Sequence, residues 1–289
     1  MAEYVIVTDS SADLPKDYVE KHGIVTMSLS YTIDGVTYEN DNGLESHDFY
    51  EKVRNGKMPT TSQVNPEEAK AALSKALEKS NNLLVISFSS GLSGTYNSTR
   101  IAAVEIMEER SDVNIIVIDS LAASLGQGLL VHKAVGLKDE GKSMQQVAEW
   151  VENNKNNIVH AFTVSNLFHL SRGGRLSKAV AVIGTIANLK PLLYVDDEGK
   201  LINYTNVRGR KKSLKGLVDY MDEHMGSFKE QNDIVFISHG DNEEDAKAVA
   251  EDVKNRFGVE SFLINPIGPT IGAHAGPDTI ALFFMGENK

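Results

Sequence analysis

Three short runs rich in β-branched residues, YVIVTD at 4–9, NLLVISF at 82–88 and NIIVIDS at 114–120, each end in small polar residues and give way to helical patterns. Strand followed by helix, repeated in this way, is the pattern of a parallel sheet wrapped by helices, because parallel neighbours need a crossover connection. It also fixes where to look for chemistry, since ligands of open α/β sheets bind beyond the carboxyl ends of the strands. Helix starts punctuate the pattern. Asn65-Pro66-Glu67-Glu68 combines a cap residue, a proline at the first helical position and acids in the first turn, and Ser143 opens SMQQVAEWVENNK.

After about residue 158 the rhythm changes. IVHAFTV reads as a strand, LSKAVAVIGTIANL as a strongly apolar helix, and KPLLYVDDEGKLINYTNV as a hairpin turning near Asp197 to Gly199. The helix KKSLKGLVDYMDEHM, the strand DIVFISHG, the helix EDAKAVAEDVKNRFG and the strands SFLINP and TIALFFM follow. With 289 residues, more than one core usually accommodates, the expected fold class is α/β in two domains: a parallel-sheet domain over 1–160 and a mixed-sheet domain over 161–289.

Composition narrows the function. A formal net charge of −11 argues against a nucleic-acid groove. The absence of cysteine excludes disulfides and thiolate metal sites and agrees with a cytoplasmic location. The start shows no basic leader with an apolar stretch behind it, so no signal peptide is expected. The longest apolar region, 179–195, is cut by Asn188 and Lys190 and contains Pro191, so stable membrane insertion is not expected.

The loops after the strands resemble one another. VTDSSADL at 7–14, SFSSGLSGTYNS at 87–98 and VIDSLAASLGQG at 117–128 are rich in hydroxyls and glycines, and PTTSQ at 59–63 precedes a capped helix. Ser, Thr and Asp after a strand are ordinary caps and turn formers. The stretch at 89–95 has more hydroxyls and glycines than a cap needs and suits an anion held by backbone N–H groups. A cleft lined by Ser10, Ser11, Thr61, Ser62, Ser93 and Thr95 would be polar but nearly neutral. These loops hold no Lys or Arg, whereas phosphate sites usually recruit one, so a carboxylate is the better fit. Its oxygens would accept from Thr61, Ser93 and the backbone around Gly94 and Thr95. Asp9 and Asp119 sit at matching strand ends without a third acid, so burial with backbone N–H partners is expected of them rather than metal binding. Ser93 misses the nucleophile elbow at its last glycine, and neither a Walker A loop nor a dinucleotide fingerprint occurs.

Two constellations lie in the second half. LSRGGRLS at 170–177 sets Arg172 and Arg175 around a Gly-Gly turn, and Arg208, Arg210, Lys211 and Lys212 follow, as a surface or a docking patch for an acidic partner or phosphate. PIGPTIGAHAGP at 266–277 reads as an irregular, constrained segment around His274. His239 is the weaker histidine, with Asp241 or Asn242 as cap of the next helix.

Taken together, DSSADL at 9–14, TSQ at 61–63, SSGLSGTYNS at 89–98, DSLAASLGQG at 119–128, RGGR at 172–175 and GPTIGAHAGP at 268–277 resemble the DegV family, in family order along the whole chain. Three positions depart from the family pattern: Asp278 and Asn188 stand where glycine is usual, and Val64 where proline is frequent. The resemblance implies a fatty-acid-binding protein with one long-chain fatty acid in a tunnel between two α/β domains and no other cofactor. It implies a carboxylate held by Thr61, Ser93 and His274, with Ser62, Gly94 and Thr95 alongside. It further implies presentation of the acyl group to the catalytic subunit of a fatty acid kinase for acyl-phosphate formation, with Arg172 and Arg175 facing the partner or the phosphoryl group. The chain would then do no catalysis of its own. The competing reading is a serine-dependent hydrolase or transferase using Ser93 and His274.

Overall fold

The structure is a computed structural model and describes residues 4–39, 42–177, 188–287 and 289. In chain order its first half runs β1 (Val5–Asp9), α1 (Lys16–Lys21), β2 (Val25–Met27), β3 (Ser30–Ile33), β4 (Val36–Tyr38), α2 (Ser46–Arg54), β5 (Thr60–Ser62) and α3 (Pro66–Leu77). It continues through β6 (Asn82–Ser87), α4 (Thr95–Glu109), β7 (Asn114–Asp119), α5 (Leu125–Asp139) and α6 (Met144–Asn154). The apolar runs form one parallel sheet in the order β2-β1-β6-β7. All five residues of β1 are buried, as expected of a strand covered on both faces. The expected caps are in place: Asn65 and Ser143 each form a reciprocal capping box, with Glu68 and Gln146 respectively.

A small antiparallel sheet, β4-β3-β5, was not among the expected elements. Its hairpin turns at Asp34-Gly35, both with positive φ, which is the signal of a tight two-residue connection.

The second half runs β8 (Ile158–Thr163), α7 (Phe168–Arg172), β9 (Leu189–Val195), β10 (Leu201–Arg208), α8 (Arg210–His224), β11 (Ile234–His239), α9 (Glu243–Phe257), β12 (Ser261–Pro266), α10 (Pro269–Ala275) and β13 (Ile280–Met285). These strands form a mixed sheet in the order β10-β9-β8-β13-β11-β12, with only β11 and β12 parallel. The fold class is therefore α/β, with a parallel sheet and a mixed sheet as expected. The hairpin of β9 and β10 turns where it was placed. The apolar helix expected over 176–189 falls mostly on residues 178–187, outside the described residues. The segment around His274 differs from expectation: it is a helix, α10, entered through Pro269 at its first position.

The largest apolar cluster joins the two sheets. Leu129, Leu130 and Val131 of α5 pack in it with Ile6 and Leu84 of the parallel sheet and with Phe236 and Phe283 of the mixed sheet. Loops after β6 and β1 meet the second half where Ser89 donates to Gly199 O and Asp13 accepts the Gly268 N–H.

Candidate functional site

The strand-end carboxylates are structural. Asp9 is fully buried and accepts from the backbone N–H of Ser11 and Phe88 and the hydroxyls of Ser11 and Ser87. Burial still holds its carboxyl above the usual range. Asp119 accepts the backbone N–H groups of Ser90 and Leu121. Among the described residues no group of three or more acids and histidines is arranged to hold a metal ion. Ser10 and Ser11 are likewise occupied: Ser10 accepts from the N–H of Leu29, and Ser11 bonds Asp9 and Gln127.

Thr61, Ser62, Ser93, Arg175 and His274 instead line one cavity between the sheets, roofed by α10 and β5. It has about 780 Å³ of empty space, counting its mouth. Its remaining wall is mainly apolar, including Phe88 and Leu92 from the first half and Phe162, Val195, Ala281 and Phe283 from the mixed sheet.

The polar part of this wall closes into a ring of contacts. Thr61 Oγ1 lies 2.8 Å from His274 Nε2. The other edge of the imidazole, Nδ1, faces Gly173 so closely that a Cβ there would overlap it. Gly173 O accepts from Arg175 Nη1 at 2.6 Å, and Arg175 Nε donates to Leu92 O at 3.1 Å. The next residue, Ser93, has its hydroxyl 2.9 Å from Thr95 Oγ1, which accepts the Val64 N–H at 3.4 Å, and Val64 leads back along the chain to Thr61.

The proton count in this ring decides its chemistry. Thr95 Oγ1 takes the Val64 N–H and shares one hydrogen bond with Ser93 Oγ, which also accepts the Thr95 N–H at 3.2 Å. The Ser93 hydroxyl lines the cavity. His274 Nδ1 is buried without a partner among the described residues, and an unpaired ring nitrogen is easier to tolerate there as an acceptor beside Arg172 and Arg175 than as an N–H. The imidazole proton therefore sits on Nε2 and goes to Thr61. Burial, together with Arg175, Arg172 and His169, pushes His274 down to about 4, so it is neutral near pH 7. The hydroxyls of Thr61 and Ser93 and the Arg175 cation thus line the same cavity.

Gly94 and Thr95 stand behind this wall at the start of α4: Thr95 is buried, and Gly94 packs against the Gln63 side chain. Arg172 donates to Pro59 O at 2.8 Å and Ala273 O at 3.1 Å, tying the approach to β5 to the helix that carries His274. Arg210 pairs with Asp245 at 2.7 Å and donates to Asp278 O, so this member of the second basic cluster serves the fold. Asn242 caps α9, and His239 accepts the Asn242 N–H. The sequence reading missed Gln63, Ser124, His160 and Ser238 as lining residues, and the charge that Arg175 brings to a cleft expected to be neutral.

The two positions where glycine is usual have a common explanation. Asn188 and Asp278 have φ of 66° and 59°, in the left-handed region that glycine adopts freely and Asn and Asp tolerate best among other residues. Gly173 is a different case, because its φ of −75° suits any residue and only the imidazole excludes a side chain. Gly173→Ala is expected to displace His274 at an overpacking cost of about 1–3 kcal/mol, lowering the melting midpoint by about 2 °C or more in a thermal scan.

The family model described as "Uncharacterised protein, DegV family" matches residues 3–287. A DegV domain-containing protein of Clostridium perfringens is 44% identical over 291 aligned residues, covering 100% of this chain and 99% of that protein. The structure described as fatty acid binding of a DegV family protein from Thermus thermophilus superposes with a TM-score of 0.87 at 31% identity, covering 99% of this chain and 100% of that one. A fatty acid (stearic acid)-binding protein from Eubacterium ventriosum superposes with a TM-score of 0.87 at 26% identity, covering 99% and 98%.

Proposed function

The chain belongs to the DegV family, and on that premise we propose that it binds one long-chain fatty acid in the cavity and presents the carboxyl end to a separate kinase for acyl-phosphate formation. The observation that carries this reading is that Thr61, Ser93 and His274, far apart in sequence, line one largely apolar cavity. Similar proteins from Thermus thermophilus and Eubacterium ventriosum are described as binding fatty acids, which supports the same ligand class here.

The energetics divide between tail and head. Burying an acyl chain is worth roughly 0.8 kcal/mol per methylene, on the order of 10 kcal/mol for a common fatty acid before the cost of association. The hydroxyls of Thr61 and Ser93 and the Arg175 cation then prevent the carboxylate from being buried unpaired, which would cost several kcal/mol by order of magnitude. Arg172 and Arg175, which join this site to α7 and the Gly173-Gly174 turn, are the residues we assign to the partner or its phosphoryl group. Among the described residues no helix is long and apolar enough to cross a membrane.

The hydrolase reading draws less support. A serine nucleophile needs a base within hydrogen-bond reach, but His274 bonds Thr61 and Ser93 bonds Thr95. Native mass spectrometry of the protein as isolated tests the carrier reading. A mass excess that denaturation releases as a free fatty acid is the expected result. Hydrolysis of a generic ester that disappears in Ser93→Ala would overturn it.

A further inference from the structure

Given the reading that this cavity holds a fatty acid, gripping its carboxylate requires two elements from opposite halves of the chain to stay in register. Thr61 lies on β5 and His274 on α10, and the two side chains meet at 2.8 Å. Helix α2 bears on both elements. It leads through residues 55–59 into β5, and its Phe49, Tyr50 and Val53 form a small apolar cluster with Ile267 and Ala273, the residue before His274. Tyr50 Oη donates to Ile267 O at 3.0 Å and lies so close to Gly272 that a Cβ there would overlap it. A shift of α2 is therefore passed to Thr61 along the chain and to His274 through packing.

The last residue of α2, Arg54, anchors that helix to the second half. Its guanidinium donates to the Asp241 carboxylate, to Asp241 O at 3.2 Å and to Asp278 Oδ1 at 3.4 Å, besides pairing with Glu51 on its own helix. His47, at the start of α2, adds a contact with Asp241 at 3.1 Å. Asp241 follows β11 and Asp278 follows α10, and their loops are bonded to each other: the Gly240 N–H donates to Thr279 O at 2.8 Å and the Asp278 N–H to Gly240 O at 2.7 Å. Both aspartates have positive φ, 57° and 59°, where a residue with a Cβ carries a cost, yet each turns a carboxylate to Arg54. A single exposed ion pair adds little. Arg54 differs, because one planar guanidinium ties two loops together and the Arg54 and Asp241 side chains are only 30% and 20% exposed. Arg54, Asp241 and Asp278 are not among the residues that line the cavity, so this anchor acts on the site only through α2 and α10.

We infer that Arg54 is a positioning residue for carboxylate recognition, holding Thr61 and His274 together by fixing α2 to the loops that follow β11 and α10. Displacement of a fluorescent fatty acid from the full-length protein by stearic acid and by octadecanol, which has the same tail without the carboxylate, tests this. Arg54→Ala is expected to weaken stearic acid by roughly tenfold and octadecanol by less than about threefold, a split that a general loss of packing would not produce. Asp241→Gly removes the principal carboxylate at a φ that glycine adopts freely, so it should fold and give the same split. The double variant should lose no more than Arg54→Ala alone, because the two residues act as one unit. The inference is overturned if stearic acid binds Asp241→Gly as tightly as the unmodified protein, or if both ligands weaken equally in the two variants. Failure of stearic acid to displace the probe from the unmodified protein would instead sink the lipid reading on which the inference rests.

Discussion

Replacing Thr61 and Ser93 together by alanine is expected to weaken fatty-acid binding by roughly 10²- to 10⁴-fold, because each hydroxyl supplies a hydrogen bond to a charged group worth about 1.5–3 kcal/mol. The two positions are reached by different routes. Thr61 meets the ring of His274, and Ser93 meets Thr95, which takes the Val64 N–H. Single variants should therefore each lose part of the affinity, while the double variant leaves the carboxylate with Arg175 alone among the ring's donors. The fold should tolerate the change, since Thr61 and Ser93 are both only partly buried. Isothermal titration with stearic acid provides the check, and an affinity within threefold of the unmodified protein, an order-of-magnitude margin for noise, would count against the head-group assignment.

The second large effect is on stability in acid. His160 is buried, its Nδ1 lies 3.0 Å from Ile158 O, and its Nε2 accepts the Ala123 N–H at 3.2 Å, which fixes the neutral tautomer with the proton on Nδ1. Burial, reinforced by Lys289, pushes this histidine down to about 3. A folded-state value below the unfolded one means that the unfolded chain binds the extra proton first. The stability this group supplies is therefore complete above about pH 6.5 and is lost as the pH falls toward 3, about 5 kcal/mol in all. Asp13 works the opposite way over part of the range, because its raised carboxyl favours the folded state as the pH falls below about 7. The contribution of His160 is isolated by comparison with His160→Gln. The variant should be the less stable protein at pH 7, and the gap between the two denaturation free energies should close as the pH drops from 6.5 toward 3. A gap independent of pH would show that His160 is not held neutral by its surroundings.

What the sequence made legible follows from how local each signal is. The capping boxes at Asn65 and Ser143, the buried strands and the β9–β10 hairpin are written within a few neighbouring residues, and they appear where expected. The β3–β4 hairpin was also written locally, in Asp34-Gly35, but its strands are too short to stand out as apolar runs. Helix α10 was obscured by its own composition, since the glycines and prolines around His274 suggest irregular backbone until Pro269 is seen as a first-turn residue. The contacts of Ser124 with Asp13 and with Ser238 join residues more than a hundred positions apart, and nothing in a single sequence pairs them. The same holds for the contact between Gly173 and His274, which makes that glycine a packing requirement rather than a turn.

The most direct test of the account is a crystal structure of the protein with stearic acid bound. One acyl chain is expected inside the cavity, with its carboxylate oxygens within hydrogen-bond distance of Thr61 Oγ1 and Ser93 Oγ. A chain bound in the opposite sense, with methylenes against those hydroxyls and the carboxylate elsewhere, would contradict it.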